Sequence, residues 1–270
     1  MAGVRYKGEV RSPASPDPLV TPRRVAFAGD WHANSRWAVG AVEYAAERGA
    51  DVIVHVGDFG YDFRAQFLRA LDRALAAADM VLMFVDGNHE NFPTLLRYPV
   101  RESGLRQLGN RIWHLPRGFR WTWGGTTLLA LGGAHSVDRP WREPGLSWWR
   151  EETITDADIE RAVAGGPVDV LVTHDCPAGV EIPDLTETSR IWPVDEIVAS
   201  DVHRQRLRTV VDAVRPRAIW HGHFHRLYHA VADFGYGPVD VNGLDCDGTT
   251  MARNLVIRDL AQVSYVDSAA

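Results

Sequence analysis

The sequence predicts an α/β fold in which two mixed β-sheets pack face to face and helices cover the outside. Three observations support this prediction. Apolar runs alternate with helix-like segments from Arg24 to about residue 89, and this alternation is typical of parallel strands joined by helical crossovers. The second half of the chain contains several short strand-like runs and two further helical stretches. Polar residues that can bind metals follow many of the apolar runs directly.

The first half of the chain predicts the order strand, helix, strand, helix, strand. The strands are the apolar runs at residues 25–28, 51–56 and 80–85, and the helices are residues 35–48 and 63–78. Gly49 lies just past the first predicted helix, where glycine commonly ends a helix. Successive strands of this kind lie parallel in one sheet, so we expect their carboxyl ends to meet at one edge.

The second half predicts shorter strands around two helices. Strand candidates are residues 111–115, 126–131, 168–173, 218–220, 226–232, 238–242 and 254–258, and the last three have hairpin-like spacing. Thr155 and Asp158 form a capping-box pattern at the start of a helix that continues to about Ala164. A second helix covers residues 195–214, and residues 137–151 form an aromatic, charged loop.

The chain is predicted to contain one domain, at residues 24–262, between two short terminal segments. Four prolines among Ser and Asp favour a flexible or extended leader at residues 1–23. Residues 263–270 are assigned to a C-terminal tail.

The composition limits the partners that the protein can have. The net charge of −6 argues against binding to extended nucleic acid. The N-terminus does not resemble a signal peptide, and no stretch approaches the ~20 apolar residues of a membrane helix, so no membrane association is expected. The two cysteines form no disulfide framework, which makes a cytoplasmic location the expectation. The sequence makes no prediction of the oligomeric state.

Candidate metal ligands lie at the carboxyl ends of the predicted strands. In chain order, the candidate ligands are Asp30, His32, Asp58, Asn88, His174, His223 and His225. His89 directly follows Asn88 and is a candidate catalytic residue. Asp30, Asp58 and Asn88 follow one another at intervals of 28 and 30 residues, the length of one strand–helix–strand unit. Parallel strands repeated at this interval bring the loops that follow them side by side.

The residue types at these positions suit divalent metal ions. Carboxylate, imidazole and amide ligands fit Mn²⁺, Fe²⁺ or Zn²⁺, and the sequence has no clustered thiolates. Asp58 is central in the series and has two carboxylate oxygens, so we expect it to bridge two ions. Two ions about 3.5–4 Å apart can hold a phosphate ester and activate a water molecule.

The ordered motifs resemble those of the calcineurin-like metallophosphoesterase superfamily. The matching segments are Asp30-Trp31-His32, Gly57-Asp58, Gly87-Asn88-His89-Glu90, Thr173-His174 and Gly222-His223-Phe224-His225. The resemblance extends from about Arg24 to Asp259 and implies a four-layer α/β/β/α sandwich. The protein Ser/Thr phosphatases of this superfamily carry Gly-Asp-x-Val-Asp-Arg-Gly at the second motif. This chain lacks the Arg-Gly pair, which argues against phosphoprotein substrates.

The resemblance also implies which residues bind each ion. One ion would be held by Asp30, His32, Asp58 and His225, and the other by Asp58, Asn88, His174 and His223. It implies that His89 lies near the phosphate as a transition-state donor or general acid. Mn²⁺ is the favoured metal, and Fe, Zn and Ni are the alternatives.

Residues that select the substrate are predicted within the aromatic loop and just before it. His135 follows a strand end and could approach the site or be structural. Arg139 could contact a phosphate oxygen, and Trp148 and Trp149 could stack on a base. The alternatives are ion pairing for the arginine and packing for the tryptophans.

Together these features predict hydrolysis of a small phosphodiester by metal-bound hydroxide, with Asp58 holding both ions and His89 assisting the leaving oxygen. Nucleotides or cyclic nucleotides are preferred to long nucleic acids as substrates. Two alternatives stay open: a phosphomonoesterase acting on small molecules or phosphoproteins, and a catalytically silent, metal-binding scaffold. None of the candidate positions has lost its ligand, which disfavours the scaffold.

Overall fold

Two mixed β-sheets form the centre of the protein in the computed structural model, which describes residues 15–185 and 191–264. The first sheet contains, in spatial order, β12 (Leu255–Asp259), β1 (Arg24–Ala28), β2 (Val52–His55), β3 (Val81–Phe84), β5 (Ile112–His114) and β4 (Arg106–Gln107). The second contains β10 (Tyr228–Asp233), β11 (Pro238–Gly243), β9 (Ala218–His221), β8 (Val170–Thr173), β7 (Thr126–Leu131) and β6 (Arg120–Trp123).

The strand directions are the same in the two sheets. Strands β1, β2, β3 and β5 run parallel, and β12 and β4 are antiparallel edge strands. Strands β7, β8, β9 and β11 run parallel, and β6 and β10 are antiparallel edge strands. The predicted hairpin near the C-terminus is confirmed for β10 and β11 but is wrong for β12. Strand β12 instead joins the first sheet, where it pairs with β1. Without β12, the backbone N–H and C=O groups of β1 would lie at an open sheet edge.

Helices cover the outer face of each sheet. They are α1 (Ser35–Glu47), α2 (Ala65–Ala77), α3 (Phe92–Leu95), α4 (Asp156–Val163), α5 (Val194–Val214) and α6 (Met251–Asn254). Apolar residues of α1 and α2 pack on the first sheet, and those of α4 and α5 pack on the second. A third apolar cluster lies between the sheets, where the rings of Phe27 and Trp220 stack with centroids 4.0 Å apart. The predicted four-layer arrangement is confirmed.

Local signals in the sequence determine the helix ends. Asn34 caps α1 by accepting from the N–H of Trp37, and Gly49 follows this helix with a φ angle of 71°. The capping box of Thr155 and Asp158 is present at the start of α4, as predicted.

The terminal segments lie partly outside the described residues. Residues 1–14 and 265–270 lie outside the described residues. Of the predicted leader and tail, the structure therefore describes residues 15–23 and 263–264. Within the predicted leader, Leu19 packs against the cluster between the sheets, and Ser15 Oγ accepts from Gln107 Nε2 at 2.9 Å. At the other end, Val263 is buried in the same cluster. No helix among the described residues is both long and apolar enough to cross a membrane.

Candidate metal centre

The predicted ligands converge at one end of the two sheets. Each lies in a loop that follows the carboxyl end of a parallel strand: the loops after β1, β2 and β3 in the first sheet, and those after β8 and β9 in the second. The face-to-face packing of the sheets brings these five loops together. Sequence spacing alone indicated convergence within the first sheet, whereas the meeting of the two sheets is a tertiary result.

Two groups of donor atoms can each hold a metal ion. Asp30, His32 and His225 offer donors that all lie within 4.8 Å of one another, and so do Asp30, Asp58 and His174. His225 Nε2 is 3.1 Å from Asp30 Oδ2. The amide oxygen of Asn88 joins the second group, because it is 2.9 Å from His174 Nε2.

Asp58 belongs to the second group, and it turns one carboxylate oxygen toward His174 of that group and the other toward His32 of the first group. Its Oδ1 is 3.4 Å from His174 Nε2, and its Oδ2 is 3.8 Å from His32 Nε2. The side chain is almost fully buried, and Oδ1 also accepts from the backbone N–H groups of Asn88 and His89, each at 2.9 Å. This geometry fits a carboxylate that bridges two ions.

The electrostatics of the cluster favour cations. Asp30 and Asp58 are both buried, and unneutralised carboxylates are costly in such a place. Burial by itself would lower the pKa of the neighbouring His174, but Asp58 and Asp30 raise it to about 10. The carboxylates therefore attract positive charge, and the mixed oxygen and nitrogen donors match the divalent ions predicted from the sequence.

The backbone at the ligands is held in an unfavourable conformation. His32, Asp58, His223 and His225 have φ angles of 46°, 53°, 68° and 51°. Such values are uncommon for residues other than glycine and are often found at functional sites. Gly87 is required for a different reason, since a Cβ atom there would collide with Asp58 Oδ1.

Glu90 ties together the two loops that carry Asp58 and Asn88. It is fully buried and accepts from the backbone N–H groups of Phe59 at 2.6 Å and of Gly87 at 2.8 Å. Burial and the charge of Asp58 raise the pKa of Glu90 to about 8. In the sequence, Glu90 ends the Gly87-Asn88-His89-Glu90 motif, but nothing in that motif indicates its role.

Asp247 is a supporting residue that the sequence analysis missed. Its carboxylate is 2.7 Å from His32 Nδ1 and accepts from Asn34 Nδ2 at 2.7 Å, while its backbone N–H donates to the carbonyl of Asp30 at 2.8 Å. A carboxylate behind a ligand histidine orients the ring and sets its tautomer. Asp247 is 215 residues from His32 in sequence, and no motif marks it.

A relay of hydrogen bonds orients the ligand Asn88. Its amide nitrogen donates to Ser136 Oγ at 3.0 Å, and Ser136 Oγ donates to Glu152 Oε2 at 2.8 Å. Trp148 Nε1 donates to the other oxygen of Glu152 at 2.7 Å. The amide oxygen of Asn88 is thereby turned toward His174. Trp148, predicted as a stacking surface, is hydrogen-bonded in this relay behind the ligand.

The other predicted substrate contacts also have partners within the protein. His135 Nε2 is 2.7 Å from Glu196 Oε2, and Arg139 pairs with the same carboxylate. Trp149 is buried. A cavity of about 620 Å³ opens beside the metal ligands, and neither these three residues nor Trp148 lines it. Packing and hydrogen bonding turn these side chains toward the body of the protein, which favours the alternatives of ion pairing and packing over a substrate wall.

Arg142 is the arginine of the aromatic loop that reaches the cavity. Its side chain is only 8% exposed, and its Nη2 lies 2.6 Å from His89 Nε2. A guanidinium can only donate, so His89 Nε2 accepts in this contact. Arg142 also pairs with Asp138 at 2.7 Å.

Comparison with known proteins agrees with this geometry. The model of the calcineurin-like phosphoesterase family matches residues 23–227. The chain belongs to this family. As a calcineurin-like phosphoesterase, it is a metal-dependent phosphoester hydrolase of a family that uses dinuclear centres. No curated protein sequence matches the chain.

Solved structures share the fold of this phosphoesterase at low sequence identity. The protein TT1561 of Thermus thermophilus is 15% identical with a TM-score of 0.51, over 88% of this chain and 99% of that one. A dimetal phosphatase from Danio rerio is 13% identical with a TM-score of 0.54, over 90% of this chain and 93% of that one. At these identities the likeness concerns the fold alone.

Proposed function

We propose that this phosphoesterase hydrolyses small phosphodiesters, including nucleotide-type diesters, at a dinuclear centre that favours Mn²⁺. The observation that carries the proposal is the placement of Asp58, whose two oxygens face different histidines. Two divalent ions, when bound, neutralise phosphate oxygens and lower the pKa of a water molecule between them. The cavity of about 620 Å³ suits a small substrate, and the net charge of −6 is unfavourable for extended nucleic acid.

In the proposed arrangement one ion would be held by Asp30, His32, Asp58 and His225, and the second by Asp58, Asn88, His174 and His223. Asp58 holds the two halves of the site together, since its Oδ1 also accepts from two backbone N–H groups. Asp247 and Ser136 keep His32 and Asn88 in position through hydrogen bonds.

His89 and Arg142 are proposed to act on the substrate itself. His89 Nε2 is 3.9 Å from Asp58 Oδ2, and its side chain is 29% exposed toward the cavity. When a phosphate oxygen binds the guanidinium of Arg142 in place of His89, the freed Nε2 of His89 can take up a proton from solvent and then give that proton to the leaving oxygen.

The test is a metal-dependence assay on matched substrates. Exhaustive chelation should abolish hydrolysis of bis(p-nitrophenyl) phosphate, and Mn²⁺ should restore it more fully than Zn²⁺ or Ni²⁺. The diester should be hydrolysed with a higher kcat/KM than p-nitrophenyl phosphate. A reversed preference would identify a monoesterase, and unchanged activity in metal-free protein would contradict the proposal altogether.

A further inference from the structure

Two chemically different groups of side chains line the cavity beside the metal ligands, and they define what we call its metal end and its apolar end. One end is formed by ligand loops that include Asp58 and His223. The other end is formed by apolar side chains from the segment after β8, from the start of α5 and from the residue after His223. They include Val180, Ile182, Ile191, Trp192, Ile197 and Phe224.

Phe224 connects the metal end of the cavity to the apolar end. Its ring centroid lies 4.9 Å from that of His223. The ring also packs against the apolar cluster that contains Val180 and Ile182. A phosphoester whose phosphate lies at the metal ligands would therefore extend its organic group along Phe224 into the apolar end.

The arginines that line the cavity, among the residues that the structure describes, all face acidic partners. The pairs are Arg142 with Asp138 at 2.7 Å, Arg204 with Asp201 at 3.6 Å, and Arg226 with Asp184 at 3.9 Å. A second phosphate group would meet a carboxylate beside each guanidinium. An uncharged organic group needs no cation, so the apolar end suits it better.

We propose that the apolar end of this cavity binds an uncharged, ring-sized ester group of the substrate. The proposal rests on the proposed phosphodiesterase function and adds the class of ester that the protein selects. A single additional methylene in a hydrophobic pocket changes selectivity about 10–200-fold. A phenyl ester should therefore exceed a methyl ester at least about tenfold in kcat/KM.

The experiment uses full-length, Mn²⁺-loaded protein and diesters that share a p-nitrophenolate leaving group. The second ester group is methyl, phenyl or thymidine, so that only the occupant of the cavity changes. The phenyl diester should have a kcat/KM at least about tenfold above the methyl diester. Equal values for phenyl and methyl would overturn the proposal. A preference for thymidine without one for phenyl would also overturn it, since recognition would then be polar.

Two neighbouring residues on α5 provide a matched pair of variants. Ile197 lines the cavity, whereas Val198 does not line it and is 56% exposed. Ile197→Asn should reduce the phenyl-to-methyl ratio severalfold and leave the methyl rate within about twofold. Val198→Asn should leave both unchanged. An unchanged ratio in Ile197→Asn, with a melting temperature equal to that of Val198→Asn, would contradict the proposed contact.

A binding measurement separates failure of this proposal from failure of the proposed function. Hydrolysis of both diesters at equal kcat/KM would refute the cavity proposal and leave the function intact. If neither diester is hydrolysed, the function fails, and calorimetry with phenylphosphonate and methylphosphonate still tests the cavity. Phenylphosphonate should bind at least about tenfold more tightly. Equal affinities would refute the apolar ester site.

Discussion

The candidate metal centre and the aromatic loop at residues 137–151 are both rich in polar and aromatic side chains, but these side chains have different partners in the two regions. At the metal centre, the donor atoms of Asp30, Asp58 and His174 face one another. In the loop, Trp148 and Arg139 direct their polar atoms to carboxylates of the body. Residue type therefore identifies a site only when a regular element also determines the direction of the side chain.

The two regions are nevertheless linked. Ser136 and Glu152, which flank the loop, form the relay that orients Asn88. Arg142 is the loop residue that contacts His89. The loop therefore supports the metal centre from behind and contributes Val137, Asp138 and Arg142 to the lining of the cavity. Variants of the metal centre should therefore lose metal binding or kcat, whereas variants of the loop should mainly lose stability.

The largest effect is expected for Asp58→Asn. An amide lacks the negative charge that two ions share, and its nitrogen cannot accept the two backbone N–H groups that Oδ1 accepts. Metal content and kcat should both fall, the latter on the order of 10³-fold or more, since even outer-shell partners cost about 10–100-fold. His225→Ala should cost less, and Asp259→Asn, at an exposed ion pair, should be neutral. Two bound metals and a normal rate in Asp58→Asn would exclude the bridging role.

His89→Ala should keep the metals and lower kcat by roughly 10²–10⁴-fold, the usual contribution of a general acid. The loss should shrink for esters whose leaving groups have a low pKa, because these need little protonation. Metal analysis together with kcat for a series of aryl diesters checks this expectation. An equal loss across the series would show that His89 acts without proton transfer.

Asp247→Asn should weaken metal binding by about 10–100-fold, the typical cost of losing an outer-shell carboxylate. The affected ion is the one beside His32, whose Nδ1 would lose its charged partner. Chelator competition measures the affinity without relying on turnover. Asp247→Glu provides the rescue control, because it keeps the charge. If Asp247→Asn binds both ions normally, the contact does not tune the site.

The smallest effect on substrate choice is expected for Trp148→Ala combined with Trp149→Ala. Trp149 is buried, and truncation of such a ring costs about 3–5 kcal/mol of stability. Trp148→Ala removes a hydrogen bond to Glu152, so metal affinity should also fall modestly. Nucleotide and small chromogenic diesters should lose activity together with the melting temperature. A selective loss of the nucleotide diester would instead restore the stacking role predicted from the sequence.

Local signals in the sequence predict the alternation of strands and helices, the helix caps and the candidate metal ligands. Those features depend on local periodicity and on the regular spacing of parallel strands, so Asp30, Asp58 and Asn88 could be recognised before the fold was known. Gly87 and Glu90 lie in the same motif, but their roles depend on the close approach of the loop that carries Asp58.

The surroundings of those candidate ligands depend on tertiary packing. Hairpin-like spacing predicts that the C-terminal strand β12 pairs with its neighbours in sequence, yet it crosses to the first sheet, and Asp247 in the loop before it reaches His32. The apolar end of the cavity likewise combines Ile182, Ile197 and Phe224 from three separate segments. Contacts between residues so distant in the chain leave no periodic signal, because they arise from how the two sheets and their outer helices pack.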